Sequence, residues 1–110
     1  MLLQNCGGTA KGNFIIKPKK QTLKSAKASG KSAALVWTKY SNVKGYELYR
    51  SKKKSSGYSR IASFSKNTTT ACRNTNLSSG TYYYKVRSYI VVDGKKYYGA
   101  FSDAKKVTIR

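Results

Sequence analysis

The chain has 110 residues, 23 of them Lys or Arg and 3 Asp or Glu, for a formal net charge of +20 with no histidine. That length holds one domain with a modest core, and a charge so far from balance implies an anionic environment or partner. Three scattered carboxylates and no imidazole exclude the usual acid–base chemistry, and two distant cysteines without a histidine exclude a zinc site.

Met1 to Lys20 is set apart by composition. MLLQNCGGTAKGN is small and polar, and Phe14-Ile15-Ile16 followed by Lys17-Pro18 reads as the last strand of a preceding module and its linker, or else as a flexible leader. Its Leu2-Leu3 pair has no basic flank and makes no signal-peptide core. The longest apolar runs fall far short of the roughly 18 residues of a membrane span, so no membrane insertion is expected.

From Gln21 onward the chain is written in short alternating pieces. Thr22 to Lys27 reads as an edge-type strand. Ala33, Leu35 and Trp37 alternate as a buried strand, and Tyr46 and Leu48 do so in GYELYRS, which leaves Glu47 pointing outward. Ile61 to Phe64 is a short apolar piece, and Thr68 to Asn74 is β-prone with Cys72 inward. Turn chemistry separates them at Ser29-Gly30, Ser41-Asn42, Ser55-Ser56-Gly57, Asn74 to Asn76 and Ser78 to Gly80. Cys6 in the tail and Cys72 in a core strand are expected to be unpaired thiols, the buried one acting as a small hydrophobe.

The longest signal runs from Leu77 to Gly99. Tyr82, Tyr84, Val86, Ser88 and Ile90 share one parity and are assigned to the core. Tyr83, Lys85, Arg87 and Tyr89 share the other and are assigned to solvent. The run closes on Asp93-Gly94, a type I′ hairpin signal. That turn pairs Val92 with Lys95, Ile90 with Tyr97 and Tyr89 with Tyr98. Extended onward, the register puts Phe101 inside opposite Val86, and Val107 and Ile109 inside. Lys105 falls on the same face, which predicts a bulge or frayed edge there. About seven short strands at regular spacing, with no 3.6-residue period, predict an all-β, two-sheet antiparallel sandwich.

From about Gln21 to Arg110 these features resemble a fibronectin type III module, an immunoglobulin-like β-sandwich. Trp37 near the end of the second strand and Tyr46 in the third carry the resemblance, and Leu77, Gly80 and Tyr82 match the Leu–Gly–Tyr of its tyrosine corner. Spacing from Leu77 favours Tyr83 for that corner by one residue; strand parity favours Tyr82. The wording GYELYRS, GTYYYKVRSY and VDGKKYYGAFS is similar to copies in surface and secreted proteins of Gram-positive bacteria. The resemblance implies an extracellular or cell-wall-associated spacer or adhesive accessory module with neighbouring domains as partners. The fold itself carries many unrelated roles.

Enzymatic motifs are missing from the sequence. Asp93 is used by a turn, and the Ser-x-x-Lys matches at Ser41, Ser51, Ser63 and Ser102 open no helix. Gly spacing builds no phosphate loop, so no cofactor is expected. What remains is a surface for polysaccharide or anionic wall polymers: Tyr83, Lys85, Arg87, Tyr89 and Tyr98 form a stripe, Tyr49 on the adjoining strand widens it, and Lys52, Lys53 and Lys54 supply a mobile basic loop. Lys19-Lys20 and Lys95-Lys96 are similar basic pairs. Against this stand two blander expectations. Cross-strand Tyr pairs stabilise a sheet by roughly 0.2–1 kcal/mol each, and surface Lys keeps edges soluble. Nucleic acid is expected to bind only non-specifically, since Lys far outnumbers Arg.

Overall fold

In the computed structural model, which describes residues 17–110, the alternating segments form eight strands. They are β1 (Leu23–Ser29), β2 (Ser32–Trp37), β3 (Gly45–Ser51), β4 (Ser59–Phe64), β5 (Ala71–Asn74), β6 (Gly80–Val92), β7 (Lys95–Tyr98) and β8 (Lys105–Ile109). All pairings are antiparallel. One sheet has the order β1-β2-β5; the other has the order β4-β3-β6-β7, with β8 also on β6. The readings of Phe14–Ile16 as a strand and of Cys6 as a free thiol fall outside the described residues.

Period-2 patterning decides which side chains meet. Leu23, Ala33, Leu35 and Trp37 from the smaller sheet pack against Tyr46, Leu48, Tyr82, Tyr84, Val86, Val107 and Ile109 from the larger. Burial of a Leu or Val side chain is worth about 1.5–3 kcal/mol, so this interior supplies the main driving force. Trp37 is its centre. Its ring lies 5.4 Å from Phe64 and 5.8 Å from Tyr46, and its indole N–H donates to the Thr69 carbonyl at 3.1 Å. Cys72, a free thiol, packs against the same core, and burial pushes its pKa up.

The Asp93-Gly94 turn has φ of 52° and 77°, as a type I′ turn requires, and sets the Ile90–Tyr97 and Tyr89–Tyr98 pairs. At the other end of β6 the hydroxyl of Tyr82 donates to the Ser78 carbonyl at 2.8 Å, over buried Leu77. Parity, not spacing from Leu77, therefore identifies the corner tyrosine.

The register of the last edge does not run straight through. Tyr89 pairs with Tyr98, but Tyr82 pairs with Val107, a slip of two residues. The first slip puts buried Ser102 opposite Val86: the Ser102 amide donates to the Val86 carbonyl, and the Val86 amide donates to Ser102 Oγ. Phe101 is thereby turned to the outer face, where its ring meets Tyr49, and not to the core opposite Val86 as the simple register required. The second slip restores parity, so Val107 and Ile109 are buried as expected and Lys105 is left exposed at the start of β8. Gly99 stands where the slip begins. A Cβ there would lie 2.6 Å from the Pro18 carbonyl oxygen, so the close approach of the entry segment requires glycine.

Candidate functional site

The outer face of the larger sheet brings together most of the predicted stripe. Tyr49 on β3, Lys85 and Arg87 on β6 and Tyr98 on β7 all lie there, and Glu47 faces Arg87 directly across the β3–β6 ladder. Two expectations about this face are corrected. Glu47 does point outward, yet it is completely buried; Tyr89 shares the outer parity, yet it is only 3% exposed. Both are covered by neighbours that strand parity does not reveal.

Glu47 is the hub. Its Oε2 accepts from Lys96 Nζ at 3.1 Å, Arg60 Nη1 at 3.2 Å and the Tyr98 hydroxyl at 3.2 Å. Its Oε1 accepts from the Tyr49 hydroxyl at 3.0 Å and Arg87 Nη2 at 3.3 Å. Burial pushes the carboxyl pKa up, but hydrogen bonds from Lys96 and Tyr49 and the charges of Lys96 and Arg87 outweigh it, leaving the group below its ordinary value. A carboxylate with five donors has no lone pair left for a substrate. It is held ionised, as a structural anchor.

The rings are equally engaged. The Arg87 guanidinium lies 3.6 Å from the centre of the Tyr98 ring and 4.7 Å from that of Phe101, and Nη2 donates to the Tyr49 hydroxyl at 2.7 Å. Lys96 covers the Tyr89 ring at 4.5 Å, while the Tyr89 hydroxyl reaches the Phe64 carbonyl through the space that Gly45 leaves open. Lys85 lies between Tyr58 and Phe101, at 4.2 and 5.0 Å from their ring centres. Such contacts are worth about 0.5–1 kcal/mol when exposed and more when desolvated. Tyr83 is half-buried farther along the same strand.

The basic loop is exposed, and it meets the outer-face cluster through Tyr58. Lys52 turns toward the ring of Tyr82, a residue of core parity, at 4.6 Å. Lys54 is tied back through its carbonyl, which accepts from the Tyr58 hydroxyl. Of the paired lysines, Lys96 is bound to Glu47 and Lys20 to Asp103 at 2.8 Å. Arg60 and Tyr58, which were not singled out in sequence, and Phe101, which was assigned to the core there, belong to the outer-face cluster. The isolated Gly99 was the available signal for Phe101, because glycine inside a strand pattern marks a bulge or a close backbone approach.

No protein-family model matches the chain, and no curated protein matches it. Solved structures do. An Fn3-like protein from Clostridium thermocellum is 26% identical, with a TM-score of 0.59 over 82% of this chain and 91% of that one. The fibronectin type III domain of human fibronectin type III domain containing protein 3 is 17% identical, with a TM-score of 0.64 over 90% of this chain and 92% of that one. A segment of a β-1,2-glucanase from Parabacteroides distasonis is 20% identical, with a TM-score of 0.69 over 83% of this chain; the chain spans 12% of that enzyme. With its two antiparallel sheets, core tryptophan and tyrosine corner, the chain has the fibronectin type III fold.

Proposed function

We propose that the chain is a non-catalytic spacer or accessory module of a longer bacterial cell-surface or secreted polypeptide, with residues 1–20 as the link to a neighbouring domain and residues 21–110 as the sandwich. The observation that carries this reading is the engagement of the outer face. Glu47, Arg87, Tyr49 and Tyr98 turn hydrogen-bonding groups and ring faces on one another, and Lys96 covers the ring of buried Tyr89, which leaves little of these groups for a ligand. The Fn3-like protein and the fibronectin type III domain, matched over 91% and 92% of their chains, support a non-catalytic module. Excess positive charge then holds the module near anionic polymers by attraction that salt screens.

The likeness to part of a β-1,2-glucanase favours one second reading, a polysaccharide-binding module beside a glycan-active domain. Retention of the purified chain on neutral polysaccharides, β-1,2-glucan included, separates the two. The spacer reading expects no retention on neutral glycans and salt-sensitive retention on Gram-positive walls that falls when their anionic polymers are stripped. Retention on a neutral glucan at high salt, lost in Tyr83→Ala or Tyr98→Ala, would establish the second reading.

A further inference from the structure

At one end of the sandwich the entry segment and the β2–β3 loop enclose an open groove of about 420 Å³, lined by Lys17, Lys19, Lys39, Tyr40, Ser41 and Asn42. Three lysines and, among the described residues, no Asp or Glu belong to its lining. Asp103, which the entry segment meets nearby, is bound to Lys20.

Both walls are fixed, although neither is a strand. On one side the Tyr40 amide donates to the buried Tyr46 hydroxyl at 2.8 Å, Asn67 Nδ2 donates to the carbonyls of Ser41 and Val43, and the Lys44 amide donates to the Tyr89 carbonyl. On the other side the Gln21 amide donates to the Ala100 carbonyl, and Pro18 lies against Gly99. Tyr40 joins the walls: its hydroxyl donates to the Lys20 carbonyl at 2.8 Å, and Lys19 lies over its ring at 5.0 Å. The backbone on either side of Lys19 and Lys39 is thus tied at Lys20 and Tyr40, which lowers the ordering cost of binding there.

We propose that this groove binds the phosphate groups of a sugar- or polyol-phosphate polymer. The chemistry points there on three counts. Lysines from both walls, Lys17 and Lys19 on one and Lys39 on the other, can meet a phosphate as point charges. The Ser41 hydroxyl and Asn42 side-chain amide add neutral donors. Tyr40, the aromatic residue of the lining, has a lysine over its ring and its hydroxyl engaged, so it offers no ready platform on which a nucleobase would stack. The inference goes beyond the spacer reading, and the two fail separately, since a spacer need not hold a polymer at this point.

Titration of the isotope-labelled chain with poly(glycerol phosphate) and, separately, with oligothymidylate of equal charge tests it by amide chemical shifts at physiological salt. The expected result is that poly(glycerol phosphate) moves the signals of Lys19, Lys39, Ser41 and Asn42 first. Lys19→Gln and Lys39→Gln should each weaken binding several-fold. Lys27→Gln and Lys105→Gln, in the basic depression between β1 and β8, remove the same charge and should change it little. Equal weakening by all four variants would mean diffuse attraction to the whole surface and would overturn the proposal. So would oligothymidylate binding as tightly to the same residues, which would make the groove a nucleic-acid contact.

Discussion

The two faces of β3 bury their residues by opposite means. Tyr46, Glu47 and Leu48 are consecutive and none is exposed to solvent. Tyr46 and Leu48 are covered by apolar neighbours of the facing sheet; Glu47 is covered by Arg60, Arg87, Lys96 and two tyrosine hydroxyls. The inner face gains mainly from removing apolar area from water. The outer face gains less, since charges lose hydration before they recover it from one another. What the charged face adds is geometry: one carboxylate ties β3, β4, β6 and β7 together and aligns the rings around it.

The largest break in that contrast is expected on the inner face. Trp37→Ala should cost roughly 3–5 kcal/mol by lost burial and a cavity, read as a lower urea midpoint. A change within about 0.5 kcal/mol would contradict the central place of Trp37. Glu47→Gln comes next, at roughly 1–3 kcal/mol, since charge-assisted bonds are lost while the half-exposed cations can turn to water. Equality with Trp37→Ala would mean that the charged hub matters as much as the core. Tyr82→Phe should cost about 0.5–1.5 kcal/mol by removing its bond to Ser78, whereas Tyr83→Phe should be close to silent. The reverse order would transfer the corner to Tyr83. Arg60→Ala is smallest, within about 0–1 kcal/mol, because its side chain is 51% exposed and such pairs are screened.

How much of each face could be read in the sequence follows from the same physics. The alternation of β6 and the Asp93-Gly94 turn are local, so the hairpin register, the inward Tyr82, Tyr84 and Val86, and the corner residue were all legible. Parity also told that Glu47 and Tyr89 face outward. It did not tell that something lies over them, because four of the five partners of Glu47 come from 13, 40, 49 and 51 residues away on three other strands. Phe101 was misplaced for a related reason. Each register slip reverses the faces, and here the slip begins where Gly99 lies against Pro18, a contact distant in sequence. The engagement of the Tyr–Arg stripe was likewise invisible until the side chains that stack on it were in place.

A carboxyl titration of Glu47 by NMR tests the charged hub most directly. Its cations and hydroxyls hold the folded pKa below the ordinary 4.5. A lowered folded pKa means that stability from this group is present above about 4.5 and lost as the pH falls through the folded value. The expected result is therefore a Glu47 midpoint below 4.5, with stability declining in that acid range and a flatter decline in Glu47→Gln. A midpoint at or above 4.5 would contradict the hub, and would mean that burial of the carboxylate is opposed, not supported, by the residues around it.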